Sequence, residues 1–573
     1  MKDYKLETRW ASAVIEHPLA VIITSILVIL LFAAGLQYAT VSSDYRYFFG
    51  PDNPQRVAFE NLQNVYSKDD SVLMTITPAD GKVFKQETLE GLRYLTEESW
   101  QLPFVTRVDS VTNFQHSYAE GDDLTVHDLV NASTLSGSVS EEDLYRLENI
   151  SLNEPMLADR LINEDASVTG INIKMTFPGA SPFEVPEAAE QARQLADHFM
   201  QQYPGHEVHL TGMVMLNDAF NEAGIRDVMT LMPLMYGIIT LMLFFILRNK
   251  TGVAMTLGVM ILSIIGAMGF SGWARIPITP PSSIAPTVIM TLAIAHSIHF
   301  LKTMFKVMRD GTGRNEAIIE SMRQNLRPVF LTSLTTVIGF LSLNFSDTPP
   351  FHDLGNITAV GVTFAFILSV GLLPAVMSMV NIVLPEHTPS RFAIVSRYSA
   401  WLERDSLPII AVMLFGIVMI GAQIRDIHIN DQFVGYFDQS IRFRPDSEYT
   451  IENLTGVYQM NFDVRSGEEQ GIADPEYLNK LDAFAEYLRT IPGIVHVSSI
   501  ADTFRKLNMN MHGDDEQYYR LPDNRELAAQ YLLLYEMSLP YGLDLNNQIN
   551  IDKSSTRIVA TMDEVPTSRI LEI

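Results

Sequence analysis

Apolar and polar residues are strongly segregated along this chain. Seven stretches lack Asp, Glu, Lys and Arg over a length that crosses a bilayer as a helix, which takes about 20 residues. These stretches are residues 18–43, 228–247, 251–274, 276–301, 328–346, 354–384 and 406–424. The pattern predicts seven transmembrane helices, grouped as one helix, then five, then one.

The two long intervals between these groups have the periodicity of α+β domains. In the first interval, alternation predicts strands at 71–77, 104–111, 170–177 and 206–212, and helical spacing predicts helices at 85–100 and 185–203. The sequence also predicts a helical, acidic insertion at about 124–164. Because the order strand–helix–strand occurs twice, the first interval is predicted to form a ferredoxin-like unit.

The second interval repeats part of the first. Residues 60–66 read ENLQNVY and residues 452–458 read ENLTGVY, while LPFVTRVDSV at 102–111 matches IPGIVHVSSI at 491–500. The offsets are 392 and 389 residues, and two matches at nearly one offset indicate a tandem duplication. The second copy reaches residue 573 near the counterpart of the third strand, so this half is expected to be incomplete.

The predicted fold is an α-helical membrane bundle plus two extracytoplasmic α+β domains of the ferredoxin-like βαβ type, arranged as a tandem half-repeat. Basic residues concentrate in loops that fall on one side if the N-terminus is cytoplasmic, as the positive-inside rule requires. The predicted domains are the N-terminus with the first span (1–43), the first outer domain (44–227), the second to sixth spans (228–384), a cytoplasmic linker (385–405), the seventh span (406–424) and the second outer domain (425–573).

Composition narrows the functional classes. The 573 residues are 47% hydrophobic, yet the net charge is −27, which disfavours nucleic acid as a partner. The chain has no cysteine and therefore no disulfide or thiolate metal site. DGTGRN at 310–315 lacks the Lys-Ser/Thr of a phosphate loop, and no catalytic triad stands out. We therefore expect no enzymatic activity, no cofactor and no metal.

The candidate site lies in the fourth and fifth predicted spans. His296 and His299 are three residues apart in the fourth, so a helix brings them near one face, and both are candidates for proton relay. An ionisable residue within a membrane is a functional candidate by default, because burying its charge is costly. A supporting stripe of small and hydroxylated residues follows in the fifth: Thr332, Thr335, Thr336 and Gly339.

A structural interpretation stays open for both groups. His296 can be a neutral imidazole hydrogen-bonded to Thr335 or Thr336, and His299 can reach the interface beside Lys302. The stripe can also be helix-packing surface, and either interpretation predicts that it faces the fourth helix. Two histidines without further ligands fall short of a zinc site.

Three stretches resemble the resistance-nodulation-division (RND) superfamily, in its hydrophobe-exporter (MMPL) branch. They are LRPVFLTSLTTVIGFLSLNFSDTPPFHDLGNITAVGV at 326–362, AHSIHF at 295–300 and VSSDYRYFFGPDNP at 41–54. The resemblance implies twelve membrane helices, of which this chain has seven, and a sterol-sensing-like unit in the second to sixth. It also implies a proton-relay carboxylate on the fourth helix. The matching position here is His296, or Ala295 if the match shifts by one residue, so the family's carboxylate is absent.

The resemblance implies a function as well. It indicates an exporter of hydrophobic or amphipathic molecules such as lipids, driven by the proton gradient in a bacterial inner membrane. Its partners would be the bilayer and a lipid-like substrate, and a homo-oligomer or a periplasmic partner protein stays open. Two alternatives remain: a non-transporting lipid or sterol sensor, and an accessory of protein translocation.

Overall fold

The chain divides into two structural units, a helical one and an α+β one. The structure, a computed structural model, describes residues 5–42, 44–66, 68, 70–121, 123–135, 137–382, 392–427, 431–563 and 567–570. One unit, here the helical unit, contains Met1–Ser42 and Asp227–Asn430. The other, here the α+β unit, contains Ser43–Arg226 and Asp431–Ile573, so both predicted α+β intervals belong to one unit.

The described helices and strands follow in chain order. The α-helices are α1 (Lys5–Glu16), α2 (Pro18–Ala33), α3 (Pro54–Val65), α4 (Gln86–Ser99), α5 (Glu141–Asn153), α6 (Glu184–Gln202), α7 (Met213–Leu247), α8 (Lys250–Trp273), α9 (Ala285–Arg309), α10 (Arg314–Leu341), α11 (Pro349–Val370), α12 (Leu372–Met379), α13 (Phe392–Arg404), α14 (Ser406–Ala422), α15 (Phe443–Asn453), α16 (Pro475–Arg489), α17 (Ile500–Asn510), α18 (Arg525–Ser538) and α19 (Thr567–Ile570). The strands are β1 (Asp70–Pro78), β2 (Val105–Asp109), β3 (Gln115–Glu120), β4 (Asp123–Asp128), β5 (Thr169–Met175), β6 (His206–Thr211), β7 (Tyr458–Arg465), β8 (Ile494–Ser498) and β9 (Ser555–Met562).

The predicted membrane segments are confirmed as helices. In the described part of the chain, seven helical stretches are long and apolar enough to cross a membrane: Pro18–Tyr38, Met213–Leu247, Lys250–Trp273, Ser282–Arg309, Arg314–Phe345, Pro349–Met379 and Ser406–Arg425. The second runs fifteen residues further toward the N-terminus than predicted, as one helix with Pro233 inside it. The sixth breaks at Gly371, between α11 and α12.

Helix α11 is the centre of the helical unit. It packs against α8, α9 and α10, and 13 of its 22 residues are buried, whereas many large apolar side chains of α7 and α14 are exposed. The N-terminal α1 joins this unit through an ion pair between buried Glu7 and Arg327 of α10. Trp10 of α1 also donates a hydrogen bond of 3.0 Å to the carbonyl oxygen of Val370.

A glycine lets α8 touch the first span directly. A Cβ atom added at Gly269 of α8 would lie 2.0 Å from the carbonyl oxygen of Phe32 in α2, where no side chain fits. Small residues permit such close approach between membrane helices, which gain from van der Waals packing. The contact explains how a helix far away in sequence joins the bundle.

The first α+β interval forms a four-stranded antiparallel sheet in the order β2-β5-β1-β6. Its strands and the helices α4 and α6 lie where the sequence pattern predicted them. On β1, Val72, Met74 and Ile76 point into one core with α4 and α6, as the two-residue period requires. One prediction was wrong: residues 123–128 of the acidic insertion form β4, paired with β3, and its helix is confined to α5.

The second interval forms a three-stranded antiparallel sheet in the order β7-β9-β8. Its β8 begins and ends 389 residues after β2, the offset of the sequence repeat. Both strands have a register shift after their first residue, Val105 in β2 and Ile494 in β8. The preceding residues, Phe104 and Gly493, both have positive φ, 65° and 95°. The two strands are therefore built alike.

The open face of the first sheet is covered by a helix from the second interval. Thr75 of β1 shares a 2.8 Å hydrogen bond with Thr450 of α15, and Thr211 of β6 shares one of 2.6 Å with Ser447. In return, the hydroxyl of Tyr66, just after α3, lies 2.8 Å from both Asp463 Oδ1 and Ser555 Oγ on the second sheet. Each interval therefore contributes to the other's sheet.

The predicted linker falls partly outside the described residues. Residues 385–391 of the interval 385–405 are not described, and the remainder is α13, which leads to α14. The described part of the predicted linker is thus a helix, because the apolar residues of its sequence FAIVSRYSAWLER recur at helical spacing.

Candidate functional site

His296 lies inside the helical unit, on the face of α9 that meets α10 and α11. It is 3% exposed, and its Nε2 lies 3.4 Å from Ser333 Oγ of α10. Ser333 donates its own hydroxyl proton to the carbonyl oxygen of Val329 at 2.8 Å, which leaves an oxygen lone pair for an N–H on His296 Nε2. This arrangement favours the neutral tautomer protonated on Nε2.

The second ring nitrogen of His296 is an unused acceptor. Among the described residues, Nδ1 is buried without a hydrogen-bond partner. A neutral imidazole carries a lone pair on the nitrogen that lacks the proton. This nitrogen can therefore accept a proton or a hydrogen bond from water.

The predicted partners of His296 require a correction. Thr332 and Thr335 are exposed on α10, and they donate to Pro328 and Leu331 carbonyl oxygens of their own helix, at 2.8 and 3.0 Å. Thr336 is partly exposed, and a Cβ atom at Gly339 would meet open space. Each residue turns the helix by about 100°, so the face toward α9 is that of Ser333, and the stripe lies beside it.

His299 does not share the surroundings of His296. It is exposed on α9, and its carbonyl oxygen accepts a hydrogen bond of 3.0 Å from Thr303. A step of three residues leaves about 60° between two side chains, which is enough to separate a buried position from an exposed one at the edge of a helix contact. The structure therefore brings one of the two histidines into the bundle interior.

Sequence reasoning missed three other buried polar groups. Ser297 and Thr358 are both 0% exposed, and among the described residues neither side-chain oxygen has a hydrogen-bond partner. Asp353, the fifth residue of α11, is only 7% exposed. The available signal was their position, since Ser297 and Thr358 lie within predicted apolar spans and Asp353 directly precedes one, but their burial depends on packing that the sequence does not show.

Comparison with known proteins decides the family. The model of the MMPL family matches residues 49–404, more than half of the chain, and this range includes His296 and Ser333. The chain belongs to the MMPL family. It is accordingly a multi-pass membrane protein, in agreement with its seven apolar helices.

Three relatives of this MMPL protein illustrate the range of the family's neighbours. A membrane protein of Methanocaldococcus jannaschii is 26% identical over 220 residues, 38% of this chain and 56% of the relative. The nickel-cobalt-cadmium resistance protein NccA of Alcaligenes xylosoxydans xylosoxydans is 24% identical over 162 residues, 28% of this chain and 15% of the relative. The hopanoid transporter HpnN of Rhodopseudomonas palustris is 28% identical over 141 residues, 24% and 16% respectively.

These matches cover only parts of the relatives. The share is about half of the first protein and about one sixth of the other two. The names of two relatives refer to different substances, namely three metals for one and hopanoids for the other. In the described residues of this MMPL protein, no group of three or more His, Asp or Glu side chains is placed to hold a metal ion.

Proposed function

We propose that this MMPL protein exports hydrophobic or amphipathic molecules such as lipids, and that the proton gradient drives the export. The observation that carries the proposal is His296: a titratable ring buried in the bundle, with one nitrogen bonded to Ser333 and the other available. One charge that crosses 100 mV gains about 2.3 kcal/mol, so a membrane histidine that takes up and releases a proton gives access to that energy.

The substrate class is part of the proposal. The hopanoid transporter among the relatives acts on a hydrophobic molecule, and the exporter branch that the sequence resembles handles similar cargo. The protein is proposed to lie in the bacterial inner membrane, with the α+β unit in the periplasm. Loops rich in Lys and Arg support that orientation.

We also propose that the chain is a tandem duplication of a membrane helix followed by a ferredoxin-like domain. The strand order of the first sheet is the support for the ferredoxin-like type, since β1-α4-β2 and β5-α6-β6 form one antiparallel sheet with β1 and β5 at its centre. The matched strands β2 and β8, at an offset of 389 residues, support the duplication.

The test is gradient-driven lipid movement by the purified full chain. It is reconstituted in proteoliposomes with a fluorescent phospholipid, and movement out of the membrane is followed with and without an imposed proton gradient. We expect movement that a protonophore stops. Replacement of His296 by Ala should reduce the gradient-dependent rate at least about tenfold, while His296→Asp should retain part of it because a carboxylate also titrates.

A matched control separates proton relay from helix packing. Thr291→Ala alters an exposed side chain on α9 that donates to the carbonyl oxygen of Thr287, and it should move lipid at the wild-type rate. An unchanged rate in His296→Ala would leave that histidine as a packing residue.

Saturable lipid binding without movement would favour the sensor, and a secretion defect in a deletion strain without lipid movement would favour the translocation accessory.

A further inference from the structure

The C-terminal ends of α2 and α8 are held together in the helical unit. A Cβ atom at Gly272, near the end of α8, would collide with the carbonyl oxygen of Gly35, just after α2, so the two backbones touch there. Beyond both helices, Ile278 N donates a hydrogen bond of 2.7 Å to Thr40 O. Side chains at these two ends therefore keep fixed positions relative to one another.

Two aromatic rings and one guanidinium meet at this place. Tyr38 and Trp273 are the last residues of the first and third apolar helical stretches, and their ring centroids lie 5.3 Å apart. Arg275 Cζ lies 4.3 Å from the centroid of the Tyr38 ring, within the range of a cation–π interaction. Trp273 Nε1 also donates to Leu31 O at 2.9 Å. Since Tyr and Trp are enriched where spans meet the lipid head groups, this cluster marks the membrane surface.

Arg275 occupies a backbone position that usually belongs to glycine. Helix α8 ends in a Schellman motif, in which Ile276 N donates to Ser271 O at 2.9 Å and Arg275 N donates to Gly272 O at 3.2 Å. This motif places Arg275 in the left-handed region with a φ of 55°. Glycine and asparagine adopt that conformation most easily, so the arginine is present against the local backbone preference.

The charge of Arg275 is also unusual for its place in the sequence. The links 275–282 and 347–353 are the short loops assigned to the outer side, and Arg275 is the one Lys or Arg in them, against the positive-inside rule. The described residues give its exposed guanidinium no ion pair and no hydrogen bond, so its N–H donors are available. The dipole of α8 also favours a cation at this end, which is the structural alternative to binding.

We propose that Arg275 binds the phosphate of an anionic phospholipid in the leaflet at this end of the bundle, with Tyr38 and Trp273 beside the head group. An arginine whose face stacks on a ring keeps its N–H edge free for two charge-assisted hydrogen bonds to phosphate. Leu27 and Leu31, one turn apart on α2, are exposed and offer a surface for an acyl chain, which favours a lipid over a free anion. In the proposed orientation this is the outer leaflet. The proposal does not depend on the export function.

Quenching of Trp273 fluorescence by brominated lipid measures binding at this site. In the full chain, the other three tryptophans (Trp10, Trp100 and Trp401) are replaced by Phe. The protein is reconstituted in phosphatidylcholine vesicles that contain dibrominated phosphatidylglycerol or dibrominated phosphatidylcholine. Because bromine quenches indole fluorescence at short range, the signal reports the lipid beside Trp273. Phosphatidylglycerol should bind there about fivefold more tightly than phosphatidylcholine, the effect expected of one basic side chain near an anionic lipid.

Replacement of Arg275 by Gly separates lipid binding from helix capping. Glycine suits the left-handed position, so Arg275→Gly should keep the melting temperature in detergent and yet lose the preference for phosphatidylglycerol. Asparagine also adopts this conformation, so Arg275→Asn is a second variant with the same expected result. Arg425→Gln removes an exposed positive charge at the end of the seventh span and should keep the preference.

Several results would overturn the proposal. They are equal affinity for both lipids when Arg275 is present, and an unchanged preference in Arg275→Gly and Arg275→Asn. A lower melting temperature in both variants with an unchanged preference would assign Arg275 to the dipole of α8 alone. Added inorganic phosphate should leave the preference unchanged, and its loss would identify a site for a free anion instead of a lipid. The vesicles carry no proton gradient, so failure of this test leaves the export proposal standing.

Discussion

His496 shows how burial sets the chemistry of a single side chain. It is 7% exposed on β8, and its Nε2 donates a 2.7 Å hydrogen bond to the carbonyl oxygen of Pro155. Burial and the neighbouring Arg160 lower the pKa of His496 to about 4, from an ordinary value of about 6.5. The histidine therefore stays neutral in the folded protein where an unfolded chain would take up a proton.

This shift predicts a pH dependence of stability. Between about pH 6.5 and 4 the unfolded chain binds more protons at His496 than the folded one, so the free energy of unfolding falls as the pH is lowered. The full effect is on the order of 3 kcal/mol. His496→Gln keeps a donor for Pro155 but does not titrate, so its melting temperature in detergent should fall less between pH 7 and pH 4. Equal falls in both proteins would contradict the shift.

At the scale of elements, contacts between distant parts of the sequence stabilise each of the two units separately. Gly269 joins α8 to α2 in the helical unit, and α15 closes the open face of the first sheet in the α+β unit. In the latter case a helix that follows the seventh span is bound to a domain that follows the first. Displacement of α15 would therefore act directly on the first sheet.

The glycine contact predicts a cost for one added methyl group. In Gly269→Ala the new Cβ lies too close to Phe32 O, so α2 and α8 must separate, and unfolding should become easier by about 1–3 kcal/mol. Gly258→Ala, on the same helix with nothing within 4 Å of the new atom, is the matched control and should be neutral or slightly stabilising. Thermal unfolding in detergent compares them, and equal melting temperatures would argue against the close approach.

The contact of α15 predicts a specific cross-link. The hydroxyls of Thr75 and Thr450 lie 2.8 Å apart, so cysteines at both positions should form a disulfide under mild oxidation. The natural chain has no cysteine, so the background is clean. Mass spectrometry of the digested protein should find the linked peptides in the double variant and in neither single variant. Free thiols after oxidation would place α15 elsewhere.

At the scale of the whole molecule, charge and hydropathy determine the expected topology. Basic loops such as 302–327 are assigned to the cytoplasm and the acidic intervals to the opposite side. Asp123 in β4 and Asp310 after α9 are both exposed and lie on opposite sides in this assignment. The two positions therefore report the orientation directly.

Labelling of introduced cysteines tests that orientation. In intact spheroplasts, an impermeant thiol reagent should label Asp123→Cys and leave Asp310→Cys unlabelled until the membrane is opened. Because the natural chain lacks cysteine, each signal belongs to one site. A label at Asp310→Cys on intact cells would reverse the topology and remove the support for a periplasmic α+β unit.

The sequence by itself determined the parts of the structure that depend on neighbouring residues. Seven apolar stretches predicted seven membrane helices, and β2, β5 and β6 lie where alternation predicted strands. These patterns are local, because span length and side-chain period act over a few turns or a few residues. The sequence match between residues 102–111 and 491–500 also located a pair of similar strands, since β8 begins and ends 389 residues after β2.

Tertiary structure decided which distant groups meet. Helical spacing placed a hydroxyl stripe on α10, but the rotation of α10 against α9 brings Ser333 to His296 and leaves Thr335 exposed. That rotation depends on the packing of a whole bundle around α11, and no local pattern encodes it. Arg160 and Lys506 likewise line one pocket of the α+β unit although they are more than 300 positions apart in the sequence. Only the packing of the two folded intervals against each other brings them together.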